Sequence, residues 1–237
     1  MSDIRIFKRY EKKYSLTNEK YKAFVERVGS MLVKDEYHNC LVQNIYYDTP
    51  DYRLIRHSIE KPMYKEKLRL RGYNDISPED KVYLEIKKKF DGIVYKRRDK
   101  MRVRDAMEFL SSPPEKAKTQ IGRELAWFVN FYGNIQPAMY IGYRRLAYKL
   151  EYDESVRITF DYDIKWRTTD LDLLHEPYGR NLHENGEVIM EIKTNGALPI
   201  PFIRILDELG IYPASFSKYG TAYKTLLEEK THGGYHG

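Results

Sequence analysis

One cysteine, Cys40, stands among 237 residues, so no disulfide can form within the chain. It reads as a small buried hydrophobe rather than a nucleophile. No apolar run approaches the roughly 20 residues that a membrane-spanning helix needs. The opening segment MSDIRIFKRYEKKY is charged from the start, which excludes an apolar secretion signal. These absences predict a cytoplasmic protein with no direct membrane insertion. Internal repeats and low-complexity linkers are missing too. No Ser-His-Asp or Cys-His constellation is evident. The six histidines (His38, His57, His175, His183, His232 and His236) read as turn or loop residues with no catalytic part.

What is present is a core and an excess of positive charge. Apolar residues make up 42% of the chain, enough for a real core, and the net charge is +6. That excess favours an anionic partner without choosing among nucleic acid, polyphosphate, nucleotide and acidic lipid. Helical signals are few. Thr17 caps a segment with Tyr21, Phe24, Val25, Val28 and Leu32 on one face. Residues 119–132 repeat the pattern and stop at Gly133. Residues 201–209 make a short helix, and Ser217 caps a last one. The rest reads as about eight strands, at 7–16, 42–49, 64–72, 82–90, 93–101, 139–150, 156–164 and 187–194, with short turns such as Asp91-Gly92. The expected fold is α+β, a closed eight-stranded antiparallel barrel with a charged interior and helices packed outside. Residues 1–230 are expected to form one domain, and residues 231–237 a flexible tail.

The barrel reading rests on the period of two. In 65-KEKLRLRG-72, Leu68 and Leu70 face one way while Lys65, Lys67, Arg69 and Arg71 face the other. Leu84 and Ile86 oppose Glu85, Lys87 and Lys89. Met190 and Ile192 oppose Glu191 and Lys193. Val156, Ile158 and Phe160 oppose Arg157, Thr159 and Asp161. Arg9, Glu11 and Lys13 alternate with Tyr10 and Lys12, and Lys96 and Arg98 share a face. A single such strand is what any half-wet sheet produces. Repeated over several strands, a face of Arg and Lys enclosed in a barrel would be intolerable unless a polyanion or solvent filled it. The pattern therefore predicts a phosphate chain as ligand. Glu11, Glu85 and Glu191 each precede a lysine by two positions. Such a pair is either a neutralising ion pair or part of a site for a hard divalent cation, Mg²⁺ or Mn²⁺, completed by phosphate oxygens. Arginine adds bidentate phosphate contact.

Nine short motifs follow one another in order: Glu-x-Lys at Glu11 and Lys13, YDTP at 47–50, LRLR at 68–71, LEIKKK at 84–89, YKRR at 95–98, YRRLAY at 143–148, RITFD at 157–161, MEIK at 190–193 and FSKY at 216–219. Together they resemble the VTC domain, the polyphosphate polymerase branch of the triphosphate tunnel metalloenzymes, over roughly residues 5–227. The resemblance implies a tunnel that binds a triphosphate and transfers the γ-phosphate of ATP to a growing polyphosphate chain with Mn²⁺ or another divalent ion. It implies Arg69, Arg71, Lys87, Arg145 and Lys218 as catalytic cations, and Lys13, Lys96 and Lys193 as further tunnel cations. Arg98 and Arg157 take second rank as substrate-binding residues. Glu191 is the implied metal carboxylate, with Glu85 and Glu11 as the other metal candidates. Strand parity alone leaves Arg144 and Arg145 competing for the interior. Arg9, two residues before Glu11, departs from the alternating glutamates of the hydrolase branch. Neither the regulatory domain nor the membrane helices of eukaryotic relatives are expected in this protein, so delivery across a membrane is expected to require a membrane-protein partner.

Two other readings use the same cations. One is an inorganic or nucleoside triphosphatase, which needs a positioned water. The other is a non-catalytic module that binds polyphosphate or inositol phosphate. Nucleic acid is disfavoured because the aromatics are not interleaved into a stacking platform.

Overall fold

The computed structural model describes residues 10–91, 93–115, 117–183 and 185–232. Arg9, Gly92, His236 and the tail 233–237 lie outside the described residues. Among those described, the strands are β1 (Tyr10–Leu16), β2 (Leu32–Asp48), β3 (Tyr64–Tyr73), β4 (Lys81–Phe90), β5 (Ile93–Arg102), β6 (Gln136–Leu150), β7 (Asp153–Arg167), β8 (Arg180–Asn181) and β9 (Val188–Thr194). The helices are α1 (Asn18–Val28), α2 (Arg53–Ile59), α3 (Val103–Ser111), α4 (Gln120–Tyr132), α5 (Ile200–Glu208) and α6 (Lys218–His232). The fold is α+β around a large antiparallel sheet. Its hydrogen-bonded order is β1-β9-β7-β6-β2-β3-β4-β5, with β8 pairing β7.

The chain divides into two compact units. Unit one comprises Met1–Cys40, Tyr143–Ile164 and His183–Phe216. In it, β1 pairs with β9 and β9 with β7. One face of these strands is apolar: Tyr14, Leu16, Val156, Ile158, Phe160, Met190 and Ile192 are buried with Phe24 and Val28 of α1 and Phe202 of α5. Thr17 caps α1, its Oγ1 accepting from Lys20 N at 3.3 Å. The helix ends at Val28, and a 3-10 turn over Gly29–Met31 leads into β2. Leu32, expected on the helix, is instead the first residue of that strand.

Unit two comprises Leu41–Gly142, Lys165–Leu182 and Ser217–Gly237. Here β2, β3, β4 and β5 pair in sequence. Leu68, Leu70, Leu84 and Ile86 are buried against Val103, Ala106 and Leu110 of α3 and Leu125, Phe128 and Val129 of α4. The apolar face of the strands thus lies under helices in each unit, as the alternation predicts. Thr119 caps α4 through Gly122 N, and Gly133 ends it at φ 73°, where a side chain would be strained.

Several expectations need correction. β2 begins at Leu32, ten residues before the expected start at 42. α2 and α3 were not foreseen. His38 lies in β2 and His57 in α2, so these two are not loop residues. Residues 231 and 232, expected in the tail, belong to α6.

Asp48 explains why the YDTP motif is followed by a helix. Its buried carboxylate accepts from Leu54 N at 2.8 Å, Ile55 N at 3.0 Å and the Tyr219 hydroxyl at 2.9 Å. It therefore ties the start of α2 to α6. Replacing Asp48 with alanine leaves those donors buried without an acceptor. The expected loss is about 3 kcal/mol of unfolding free energy in urea denaturation. A loss below about 1 kcal/mol would mean that the motif is not a structural tie.

Candidate functional site: two charged sheet faces

The face of unit two opposite its apolar core is built by register. Tyr46 on β2 faces Arg69, Arg69 faces Glu85, and Glu85 faces Arg98. The adjacent row runs Lys67, Lys87, Lys96 across β3, β4 and β5. On the other side the row is Asn44, Arg71, Tyr83, Lys100. Directly opposed like charges destabilise a sheet, so three lysines in one row require compensation.

Part of it comes from Glu85, which is 1% exposed. Arg69 Nε donates to Glu85 Oε2 at 2.8 Å, and Lys96 Nζ lies 2.6 Å from Oε1. Arg71, also buried, donates to Asn44 Oδ1 at 2.7 Å. Lys67 donates to Ser217 Oγ at 2.9 Å. Arg98 sits over the Tyr83 ring. Lys218 is half-buried as the first residue of α6, next to Ser217. Burial alone would push the Glu85 carboxyl up, but Arg69, Arg71 and Lys96 outweigh it and hold it at about 2. For Lys96, burial dominates the pull of Glu85, and with Arg69 and Arg71 nearby its pKa falls to about 8. Tyr46 shows the same positive field. Burial raises its phenol, yet Arg69, Arg71 and Lys67 bring it down to about 8.

Unit one carries a second charged face, in which cations and carboxylates alternate. Lys13 on β1 faces Glu191 on β9, and Glu191 faces Thr159 on β7. In the next row Glu11 faces Lys193, and Lys193 faces Arg157. Lys193 Nζ is 2.7 Å from Glu191 Oε1, and Lys13 Nζ is 3.8 Å from both Glu191 and Glu11. Burial opposes ionisation of Glu191, but Lys193, Lys13 and Arg145 hold its carboxyl far below the ordinary range. Arg145 makes a bidentate pair with Asp161, at 2.6 and 2.8 Å. Arg144 is exposed. Geometry thus separates the two arginines that parity left competing. Arg157 pairs with Asp35 at 2.7 Å.

Within unit two, then, the structure brings together Arg69, Arg71, Glu85 and Lys96, with Lys87 and Arg98 in register beside them. Within unit one it gathers Glu11, Lys13, Glu191 and Lys193, with Arg145 in the same electrostatic cluster. Tyr46, Asn44, Asp161 and Thr159 belong to these faces and were not singled out as site residues. The period of two does place Thr159 and Asp161 on the charged face, which was the available signal. Among the described residues no group of three or more His, Cys, Asp or Glu could hold a metal ion by itself. Glu191 and Glu11 are nonetheless hard oxygen donors that share Lys13. They fit a divalent cation whose other ligands come from phosphate. Glu85 has both oxygens taken by Arg69 and Lys96.

The fold is thus a mixed α+β one, with an antiparallel sheet, helices over its apolar face and charged residues on the other. The chain matches the VTC domain over residues 8–227 and belongs to that family, within the triphosphate tunnel metalloenzyme fold family. Solved structures agree on the fold. A candidate adenylate cyclase from Bacillus halodurans matches with a TM-score of 0.55 and 14% identity, covering 87% of this chain and 92% of that one. A candidate adenylyl cyclase from Hippeastrum, described as having a dominant triphosphatase activity, matches with a TM-score of 0.50 and 15% identity, covering 91% and 95%. At these identities the likeness is one of fold alone. No protein with a curated description matches the chain. Among the described residues no helix is long and apolar enough to cross a membrane.

The Glu85 cluster makes a pH prediction. Its carboxyl sits at about 2 when folded, against an ordinary 4.5, so the folded chain binds fewer protons than the unfolded one between those values. The stability it contributes is full above pH 4.5 and is lost as pH falls toward 2. Glu85→Gln should cost roughly 2–3 kcal/mol near pH 7. The gap to wild type should narrow as the pH of the denaturation series drops below 4.5. A gap independent of pH would show that the ionised carboxylate is not the stabilising group.

Proposed function

We propose that the protein is a polyphosphate polymerase, transferring the γ-phosphate of ATP to a growing inorganic polyphosphate chain in a closed eight-stranded tunnel. The observation that carries this reading is the Lys67, Lys87, Lys96 row beside the row of Arg69, Glu85 and Arg98, in which Glu85 is the carboxylate. Such a face matches a run of phosphates better than a single one. Membership of the VTC family supports the closed tunnel and the polymer product. Residues 1–230 act as one functional domain in this reading.

The chemistry needs little covalent help from the protein. A terminal oxygen of the acceptor chain bonds to the γ-phosphorus, and the bond to the β–γ bridging oxygen breaks, with ADP leaving as the anion. The acceptor oxygen is already ionised, so no general base is needed. The carboxylates of both faces fit this: buried Glu85 and Asp161 and part-buried Glu191 are each engaged by arginine or lysine rather than poised over a water. Arg69, Arg71, Lys87, Arg145 and Lys218 take the charge that develops in the transition state. Lys13, Lys96, Arg98, Arg157 and Lys193 hold the chain. A divalent cation, Mn²⁺ or Mg²⁺, held by Glu191 with Glu11 would supply further neutralisation at the phosphoryl group. Glu85 serves to order Arg69 and Lys96.

Incubation with ATP and Mn²⁺, with polyphosphate resolved on gels and ADP and phosphate quantified, tests the reading. Polyphosphate should accumulate in step with ADP. ADP with free phosphate alone would make the protein a triphosphatase. Binding without turnover would make it a receptor. Arg69→Ala and Arg71→Ala should each lower turnover at least a hundredfold, as expected for loss of a charged transition-state contact worth roughly 3 kcal/mol. Glu191→Gln should lose activity and metal dependence together. Full activity in either arginine variant would remove that residue from the site.

A further inference from the structure

Thr159 lies in the middle of the unit-one face, opposite Glu191 on β9. Its residue is 4% exposed, and its hydroxyl has no hydrogen-bond partner among the described residues. Buried hydroxyls are nearly always paired, and a buried donor without an acceptor destabilises the fold. The surroundings sharpen the anomaly. Glu191, the acceptor in the same row, already faces Lys193 and Lys13. Arg145 is committed to Asp161. Lysines and arginines only donate, so none can accept the threonine proton. What the hydroxyl lacks is an acceptor, on a face that carries Lys13 and Lys193 beside it.

We propose that the Thr159 hydroxyl is a ligand-binding group, donating its hydrogen bond to a phosphate oxygen of the bound chain beside Lys13 and Lys193. This rests on the reading of the protein as one that binds a phosphate chain. The ligand then supplies the acceptor that the folded chain lacks. Valine has the same shape and suits a strand, so it removes the hydroxyl without leaving a cavity.

The consequence is an opposition between stability and binding. Melting temperatures of the ligand-free protein and calorimetric titrations with inorganic tripolyphosphate, in EDTA and again with Mn²⁺, read it directly. Thr159→Val should not lower the melting temperature, since it deletes an unpaired polar atom. It should weaken tripolyphosphate binding about tenfold or more in EDTA, as for loss of a bond to a charged acceptor. Thr159→Ser should stay near wild type in affinity. Equal affinity in wild type and Thr159→Val would overturn the inference while leaving the polyphosphate reading intact. A fall in melting temperature would show that the hydroxyl has an internal partner, and would overturn it too. A loss seen only with Mn²⁺ would assign the bond to a metal-bound water and overturn the phosphate contact. Failure of the wild type to bind tripolyphosphate would overturn both readings.

Discussion

Repulsion between like charges in register is the constraint on which the rest of the molecule depends. Lys67, Lys87 and Lys96 face one another across three neighbouring strands, and Arg69 and Arg98 flank them in the next row. Such an arrangement survives only if other terms hold the strands together. The opposite face supplies them: Leu68, Leu70, Leu84 and Ile86 are buried under α3 and α4. At roughly 2 kcal/mol for each fully buried aliphatic side chain, those four alone offset several unfavourable charge contacts. Sheet and helices are in this sense the support for a face that would not form by itself.

Internal carboxylates provide the second compensation. Glu85 engages Arg69 and Lys96, Asp161 engages Arg145, and Glu191 engages Lys193. Each sits where a phosphate oxygen would be welcome, and each keeps nearby cations ordered. On the unit-two face the count remains uneven, with Lys67, Arg69, Arg71, Lys87, Lys96 and Arg98 around Glu85, whereas in unit one Lys13, Arg145, Arg157 and Lys193 are matched by Glu11, Asp35, Asp161 and Glu191. The excess is a standing attraction for a polyanion. Against the burial that raises it, that excess brings the Tyr46 phenol down to about 8, while burial first, and Arg69 and Arg71 after it, lower the Lys96 ammonium to about 8.

The alternation of leucine and cation in β3 and β4 is visible in the sequence because the period of two is local, and both the apolar and the charged face followed from it. The Thr17 cap of α1 is equally local, since its side chain bonds within three residues. What lay hidden was non-local. The first half of β2, LVKDEYHNC, has no clean alternation because most of its side chains are at least partly exposed. α2 has no cap at the residue before it, since Tyr52 adopts a left-handed conformation there and the acceptors are Thr49 and Asp48. α3 follows β5 without a break, and Arg102 makes no side-chain cap. In the site, parity put the charged residues of each strand on one face, but the pairings Arg69–Glu85 and Arg145–Asp161 join neighbouring strands. Thr159 could be placed on the charged face, whereas the lack of a partner for its hydroxyl is a property of packing.

The central claim is that the cationic faces are held in wait for a chain of phosphates. The most direct test is the melting temperature in EDTA as tripolyphosphate is added, against orthophosphate and chloride at matched ionic strength. A ligand that binds only the folded state stabilises it by mass action. The account predicts a rise of several degrees with tripolyphosphate that persists at matched ionic strength, and a much smaller one with orthophosphate. The same small rise with all three salts would mean that the faces are merely screened, and would contradict it.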